Sequence, residues 1–244
     1  MISVVIPTLN AERDLAATLT ALVPAAVDGL IRDVIVVDGG STDRTRKIAE
    51  ASGADIVESP VGRGQQLAAG GAKARGQWLL FLHADTVLDE GWSRAALAFM
   101  NETDQGDRDP AAAVFRFRLN DQGLIPRALE AVVALRCKVL RLPYGDQGLL
   151  ISRRLYDKLG GFKAMPVMED VDIIRRLGRH RVVLLDVDAT TSAERYKRDG
   201  YLARTARNLL CLTLYGAGVS PAKIARVYRS RKEPSSPGLV RETA

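Results

Sequence analysis

The stretch Gly76-Gln77-Trp78-Leu79-Leu80-Phe81-Leu82-His83-Ala84-Asp85-Thr86 decides how the rest of the chain is interpreted. Its five consecutive apolar residues, 78–82, predict a fully buried strand of a parallel sheet. Short polar residues follow at once and place the carboxylate of Asp85 at the carboxyl end of that strand. Ligands of open α/β sheets bind beyond this end, so Asp85 is well placed to hold a divalent cation and the phosphates that the cation neutralises. The alternative is that Asp85 only caps a helix or closes a turn.

Length and composition predict one large α/β domain, with or without an appendage. The chain has 244 residues, of which 47% are apolar, and this is enough for a large buried core. Its two cysteines, Cys137 and Cys211, have no metal-ligand spacing and are too few for a disulfide framework, so we expect a reducing compartment. The first residues lack the basic start of a signal peptide, and no window approaches the roughly 20 apolar residues of a membrane span. We therefore expect a cytoplasmic protein, either soluble or bound peripherally at the inner face of the plasma membrane.

The positive charge is concentrated at the C-terminus. Residues 189–244 hold 11 of the 35 Lys and Arg residues but only 4 of the 29 Asp and Glu residues, which accounts for the whole formal excess of +6. This asymmetry favours an anionic partner, either a diphosphate or an acidic membrane surface, over nucleic acid. A tail that only keeps the protein in solution is the alternative.

Two further predicted strands end in polar turns near the start of the chain. The β-branched run 2–6 ends at Pro7-Thr8, and residues 34–37 lead into Asp38-Gly39-Gly40-Ser41-Thr42-Asp43. The glycines permit close backbone approach, and the N-terminus of the following helix attracts anions. Asp38 caps nothing obvious, so we expect its carboxylate to accept hydrogen bonds from a base or from ribose hydroxyls. The turn has neither a GxGxxG pattern nor a P-loop lysine, which argues against a dinucleotide site or an NTPase.

The loop after the third predicted strand carries an arginine between two glycines, Gly62-Arg63-Gly64. We expect Arg63 to lie on an exposed, flexible loop, where it either reaches a phosphate group or is an ordinary surface residue. The helix predicted over residues 65–74 is rich in Ala and Gly, which indicates close packing against a sheet or a ligand.

An acidic segment, Met168-Glu169-Asp170-Val171-Asp172, opens a late helix. Acidic residues in a first helical turn suit the helix dipole, and this is a sufficient structural reason for Glu169 and Asp170. We expect Asp172 to be solvated.

Four motifs, in this order and spacing, resemble the family 2 glycosyltransferases of the GT-A fold. They are Val-Val-Ile-Pro-Thr-Leu-Asn at 4–10, Val-Ile-Val-Val-Asp-Gly-Gly-Ser-Thr-Asp at 34–43, Ala-Arg-Gly-Gln-Trp-Leu-Leu-Phe-Leu-His-Ala-Asp at 74–85 and Met-Glu-Asp-Val-Asp at 168–172. The resemblance extends over about residues 1–190. Within the family, the chain looks like the bacterial subgroup described as radical-SAM/selenodomain-associated transferase 2, which shares His-Ala-Asp-Thr in place of the usual acidic triplet.

The resemblance implies a GT-A domain over residues 1–190, with a Rossmann-like mixed α/β sheet flanked by helices. We expect a basic helical extension over residues 191–230 that packs as an appendage or a homodimer contact, with contact to a membrane surface as the next alternative. Residues 231–244 are rich in Pro and Ser, and we expect a disordered tail there.

The resemblance also implies the roles of individual residues. We expect Asp170 to be the general base, Glu169 to support it, and Asp85 to ligate Mn²⁺ or Mg²⁺, while Asp146 and Gln147 face the acceptor. The expected nucleotide-sugar site consists of Pro7, Thr8, Asn10, Glu12, Asp38, Gly40, Ser41, Arg63, His83 and Arg195. His83 stands where the family has the first acid of its Asp-x-Asp triplet.

The implied activity is metal-dependent transfer of a sugar from a nucleoside-diphosphate sugar, a UDP-sugar first, to an acceptor hydroxyl. One base and a direct displacement would invert the anomeric carbon. A non-catalytic nucleotide-sugar-binding protein is the main alternative, and His83 is its best argument. A sugar-1-phosphate nucleotidyltransferase fits less well, because Pro7-Thr8-Leu9-Asn10 does not supply a glycine-rich loop with a nearby basic residue.

Overall fold

A computed structural model describes residues 1–106, 109–140, 143 and 145–228 of the chain. The chain divides into two compact units, residues 1–193 and 194–244. The first unit contains a sheet with flanking helices, and the described part of the second contains helices. The tail predicted over residues 231–244 lies outside the described residues.

Within the described residues, eight strands form one sheet in the first unit. They are β1 (Ile2–Thr8), β2 (Ile31–Asp38), β3 (Asp55–Glu58), β4 (Trp78–Phe81), β5 (Thr86–Leu88), β6 (Ala112–Leu119), β7 (Leu149–Ser152) and β8 (Val182–Thr191). The order across the sheet is β3-β2-β1-β4-β7-β6-β8-β5. Strands β3, β2, β1 and β4 are parallel to one another, whereas β7 is antiparallel to both of its neighbours, β4 and β6. The predicted mixed α/β sheet is confirmed.

Helices cover both faces of this sheet. They are α1 (Leu15–Thr20), α2 (Val23–Val27), α3 (Thr45–Ala51), α4 (Arg63–Lys73), α5 (Trp92–Asp104), α6 (Leu124–Leu140), α7 (Arg153–Lys158) and α8 (Glu169–Leu177). Helix α5 continues through the polar residues 101–103 to Asp104. Its last turn is held because the indole Nε1–H of Trp78 donates to the carboxylate of Asp104 at 3.1 Å.

The centre of the sheet is fully buried, which explains the long hydrophobic runs of its strands. Every residue of β1 and β4 is buried, and two apolar clusters lie on opposite faces. Helix α4 packs closely on one face because it is rich in small residues. A Cβ added to Gly70 would lie 2.3 Å from Cγ1 of Val5.

The carboxyl ends of the central strands meet at one edge of the sheet. Thr8 at the end of β1 pairs with Asp38 at the end of β2, and Val5 pairs with Phe81 at the end of β4. The side-chain amide of Gln66 donates to the carbonyl oxygens of Thr8 (2.7 Å) and Val37 (2.8 Å). This edge therefore gathers the polar turns that follow the strands.

The second unit consists, in its described part, of α9 (Glu194–Asp199), α10 (Tyr201–Gly216) and α11 (Pro221–Tyr228). The buried carboxylate of Asp199 accepts hydrogen bonds from Arg198, Arg204 and Arg207, each at 3.0 Å. Burial opposes ionisation of this carboxyl, but the three arginines outweigh it and lower the pKa of Asp199 to about 2. Part of the basic excess of this unit is thus neutralised internally. Among the helices of both units that the structure describes, none combines the length and the apolar character that crossing a bilayer requires.

Candidate active site

The turn after β2 is closed by the carboxylate of Asp38. Its Oδ2 accepts hydrogen bonds from the backbone N–H groups of Gly40 (3.1 Å) and Ser41 (2.9 Å), and its Oδ1 accepts from the hydroxyls of Thr8 and Ser41. The side chain is buried. The premise that Asp38 caps nothing is therefore wrong, because it organises its own turn. Its contact with a nucleotide base stays a prediction.

The turns after β1 and β2 are bonded to each other. Asn10 has a left-handed backbone (φ +52°), and its side-chain oxygen accepts from the N–H of Thr42 at 2.9 Å. The carboxylate of Glu12 accepts from the N–H of Arg44 at 3.0 Å. These bonds bring most of the predicted nucleoside-binding residues to one edge, namely Pro7, Thr8, Asn10, Glu12, Asp38, Gly40 and Ser41.

Arg63 is the first residue of α4, and only 29% of its side chain is exposed. Its Nε–H donates to Oε1 of Glu169, and its Nη2 lies 3.8 Å from Oδ2 of Asp170. The expectation of an exposed, flexible loop is wrong, because two carboxylates hold the guanidinium. The next residue, Gly64, packs directly against the segment before α8. A Cβ at this position would lie 2.5 Å from the carbonyl oxygens of both Lys163 and Met165, so only glycine fits.

Glu169 is a fully buried acid at the start of α8. Burial raises the pKa of its carboxyl, the positive charge of Arg63 opposes this shift, and the negative charge of Asp170 adds to it. The second oxygen, Oε2, is buried without a hydrogen-bond partner. Glu169 therefore lies behind the guanidinium and fixes its position.

Asp170 is held in a defined orientation but remains accessible. Its Oδ2 accepts from the N–H of Gly145 at 2.9 Å, its Oδ1 accepts from the N–H of Val171 at 2.8 Å, and 16% of the side chain is exposed. A Cβ added to Gly145 would lie 2.8 Å from Nε2 of His83 and 3.5 Å from Oδ2 of Asp170, so these groups converge on one point. A cavity of about 30 Å³ at this point is lined by His83, Gly145, Glu169 and Asp170, among others.

Asp172, two residues further on, is buried, so the expectation that it is solvated is wrong. Its carboxylate accepts from Nζ of Lys163 at 3.2 Å and from Nε of Arg176 at 2.7 Å. It therefore has a structural role in α8.

Asp146 and Gln147 form a short helical turn before β7. Burial raises the pKa of Asp146 to about 6, and this rise is opposed by Arg136 and Arg63 and supported by Asp170 and Asp85. Oδ1 of Asp146 is buried without a hydrogen-bond partner. The negative charges of both Asp85 and Asp170 therefore act on this one carboxyl.

Gln147 is turned toward the protein interior. Its Nε2 donates to the carbonyl oxygen of Phe115 at 2.9 Å, and its Oε1 accepts from the thiol of Cys137 at 3.1 Å. The side chain is buried. The structure therefore gives Gln147 a positioning role in this turn, and it does not support direct contact with an acceptor.

Asp85 is half-buried, and its carboxylate makes no hydrogen bond or ion pair with any residue that the structure describes. Its backbone oxygen accepts from the N–H of Ser192 at 3.0 Å, which fixes the turn. In the same described ranges, no three His, Cys, Asp or Glu side chains form a complete metal site. Mg²⁺ and related ions are usually held by one or two carboxylates together with water and substrate phosphates. The free carboxylate of Asp85 fits such an ion.

Sequence reasoning missed two residues of the cleft. Gly145 supplies the N–H that orients Asp170, and Arg136 of α6 is the main positive charge that opposes protonation of Asp146. The partner of neither residue could be identified from the sequence, because each acts on a residue of another element. Arg195 lies in α9 of the second unit, and its contact with a diphosphate stays a prediction.

Comparisons with known proteins identify the family and the fold of the chain. The model of the family "Glycosyl transferase family 2" matches residues 3–155. Glucosyl-3-phosphoglycerate synthase of Mycobacterium tuberculosis H37Rv is 39% identical over 95 residues, which are 35% of this chain and 29% of that protein. A PGL/p-HBAD biosynthesis glycosyltransferase of Mycobacterium bovis BCG Pasteur is 34% identical over 121 residues, or 44% of each chain. The chain thus matches less than half of the length of these curated relatives.

A solved structure extends the similarity to most of the fold. The crystal structure of glucosyl-3-phosphoglycerate synthase from Mycobacterium tuberculosis in complex with Mn²⁺, UDP and glucosyl-3-phosphoglycerate superposes with a TM-score of 0.61. The superposition has 24% sequence identity and covers 90% of this chain and 80% of that one. At this identity the similarity shows the fold alone, and it confirms the GT-A architecture.

Proposed function

Because this chain belongs to glycosyl transferase family 2, we propose that it is a metal-dependent inverting glycosyltransferase that moves a sugar from a nucleoside-diphosphate sugar to an acceptor hydroxyl. The observation that carries the proposal is the setting of Asp170. Its carboxylate is oriented by the N–H of Gly145, lies beside Arg63 and keeps an exposed fraction of 16%. A general base needs this combination of fixed geometry and access.

The residues of the cleft divide the work of transfer. Asp170 accepts the proton of the acceptor hydroxyl while the oxygen of that hydroxyl forms a bond to the anomeric carbon. The bond from that carbon to the diphosphate breaks, and the electron pair leaves with the diphosphate. Displacement from the opposite side inverts the anomeric carbon. Arg63, held from behind by Glu169, directs its positive charge toward the departing diphosphate.

Asp85 is the residue that would hold Mn²⁺ or Mg²⁺. When bound, such an ion neutralises charge that develops on the diphosphate. Support comes from the free carboxylate of Asp85 and from the Mn²⁺ and UDP bound in the similar synthase structure. His83 converges with Gly145 and Asp170 and is proposed to contact the donor where the family has an acid.

The donor is proposed to be a UDP-sugar, with the nucleoside bound by the turns after β1 and β2. The UDP and UDP-glucose bound in structures of the similar synthase support this choice. The order His83-Ala84-Asp85-Thr86 further supports assignment to the radical-SAM/selenodomain-associated transferase 2 subgroup.

Two further proposals concern the domains of the chain and their binding partners. We propose that residues 1–190 carry the transferase activity and that the basic helices of residues 191–230, including Arg195, contact an anionic group. That group is either the donor diphosphate or the inner face of the plasma membrane, and a homodimer contact is the alternative.

A donor panel tests the proposed function. UDP-, GDP- and dTDP-sugars are added with and without Mn²⁺ or Mg²⁺, and both the thermal shift and the release of nucleoside diphosphate are measured. We expect stabilisation and release that both require the metal, first with a UDP-sugar. Stabilisation without release in the presence of a broad set of acceptors would instead support a nucleotide-sugar-binding protein. Pyrophosphate release from a nucleoside triphosphate and a sugar 1-phosphate would support a nucleotidyltransferase.

A further inference from the structure

Helix α6 exposes an unusually apolar face. Its side chains Leu124, Ile125, Val132 and Leu135 are exposed by 89%, 61%, 59% and 62%. The exposed alanines 128 and 131 lie between them on the same side of the helix. At 100° per residue these positions form one continuous arc of about 120°. A helix of a soluble protein normally turns such an arc toward its core.

The opposite side of α6 faces the core of the first unit. Val133, Cys137 and Glu130 are buried there, and the thiol of Cys137 bonds the amide of Gln147 beside Asp146. The charge of Arg136 acts on Asp146 from the same helix. The apolar arc therefore lies on the outer side of a helix whose inner side contacts the turn that carries Asp146.

The charges on α6 indicate which kind of partner would bind its apolar face. Its one acid, Glu130, is buried and bound by Arg118 and Arg127. The exposed charged residues among the described side chains of α6 are Lys138 and Arg127, of which Arg127 also pairs with the buried Glu130, and both flank one edge of the apolar arc. A symmetric pairing of two α6 helices would bring these cations together without an exposed acid to balance them. An apolar arc with a basic edge instead matches an anionic lipid surface, where the apolar side chains enter the acyl boundary and the cations meet the headgroups.

We propose that the outer face of α6, formed by Leu124, Ile125, Val132 and Leu135 with Arg127 and Lys138, docks the protein on an anionic lipid surface. Docking through this helix brings the turn that carries Asp146, which α6 contacts through Cys137 and Gln147, toward the bilayer. The surface belongs to the first unit, and the inference does not depend on the sugar donor.

Vesicle binding tests the inference. The full chain is sedimented with vesicles of phosphatidylcholine alone and of phosphatidylcholine with 30% phosphatidylglycerol. We expect binding to the anionic vesicles and a loss of at least tenfold in the partition coefficient for Val132→Glu/Leu135→Glu. The matched control is Val27→Glu, because Val27 is an 81% exposed apolar residue on α2 of the same unit, and we expect a change below twofold. A second variant, Leu202→Glu/Leu209→Glu, measures any contribution from α10.

Each contrary outcome has a clear meaning. The inference is overturned if the wild-type chain does not bind anionic vesicles. It is also overturned if the α6 variant binds them as strongly as the wild type does. A dimer in sedimentation velocity that the α6 variant dissociates also overturns it, because the partner is then a second copy of the chain. Unchanged melting temperatures of the variants, expected at exposed positions, show that loss of binding is not loss of folding.

A fluorescence reporter provides a test that does not reduce apolarity. The natural tryptophans, Trp78 and Trp92, are buried, so they contribute a constant background. We expect the added indole of Leu135→Trp to be quenched at least twofold by brominated lipid in anionic vesicles. Val27→Trp should be unaffected. Equal quenching of the two variants, or none of either, would contradict docking through α6.

Discussion

Arg63 and Glu169 are 106 residues apart in the sequence and are joined by a hydrogen bond from the guanidinium Nε to a fully buried carboxylate. This pair links the start of α4 to the start of α8, which carries Asp170. The candidate active site therefore depends on the packing of these two helix ends.

Removing Arg63 should destabilise the protein in a pH-dependent way. Arg63→Met leaves the buried charge of Glu169 without its partner, and we expect a loss of about 3 kcal/mol at pH 8. Burial already raises the pKa of Glu169 in the folded state. Protonated Glu169 therefore stabilises the folded state at low pH, and this stabilisation is lost as the pH rises. The loss of unfolding free energy in Arg63→Met should thus be smaller at pH 5 than at pH 8. Urea unfolding of both proteins at the two pH values measures this difference.

The control for this variant is Arg46→Met, which removes an exposed ion pair with Glu58. Such surface pairs contribute about 0–1 kcal/mol. An Arg63→Met deficit that equals the control, or that is the same at pH 5 and pH 8, would contradict the structural role of the buried pair.

Replacing Asp170 should remove the base without removing the donor site. For Asp170→Asn we expect kcat to fall about 10²–10⁴-fold, because this is the usual contribution of a general base. Binding of the nucleotide should stay near the wild-type level, since Asp170 is assigned to the acceptor proton. Steady-state kinetics and nucleotide titration separate the two effects. Asp157→Asn, at an exposed position on α7, is the control, and comparable kcat values for the two variants would exclude the assignment.

Replacing Asp85 should abolish the effect of the metal on donor binding. At 100 times its dissociation constant, a ligand stabilises the folded state by about 2.7 kcal/mol. We expect UDP with Mn²⁺ to shift the melting temperature of the wild type and to leave Asp85→Asn unshifted. Asp89→Asn, an exposed acid after β5, should respond as the wild type does. A metal-dependent shift that survives in Asp85→Asn would disprove the assigned ligand.

Asp146 should make the metal-free protein less stable as the pH rises. Burial raises its pKa from 3.8 to about 6 in the folded chain, so the folded state binds the proton more tightly than the unfolded chain does. The associated stability is present below pH 3.8 and is lost as the pH rises through 6. Asp146→Asn should therefore be more stable than the wild type by about 1–3 kcal/mol at pH 8, with a much smaller difference near pH 4. Urea unfolding across this range checks the trend, and a difference independent of pH would refute it.

Several features of the fold follow from local sequence patterns. The uninterrupted apolar run at 78–82 predicted a buried central strand, since a strand covered on both faces has no polar side. The small residues of α4 predicted close packing, and the acids before Val171 predicted a helix start. These signals are local, because they arise from neighbours along the chain.

The errors occurred where a distant residue decides the environment. Arg63 was expected on an exposed loop, but the buried Glu169 holds it. Asp172 was expected in solvent, but Lys163 and Arg176 bind it in the interior. A charged residue gives no local sign of whether a partner will meet it, and its burial is decided by tertiary contacts.

By itself, the sequence determined the strand-turn-helix order, the positions of the acids at strand and helix ends, and the concentration of positive charge in residues 189–244. Only the tertiary structure decided that Asp38 closes its own turn and that Gly145 orients Asp170. It also decided that the charges of Asp85 and Asp170 act on Asp146. The reason is physical. Backbone propensity and hydrophobic patterning act between neighbours, whereas hydrogen bonds and charge interactions depend on distances in space that folding sets.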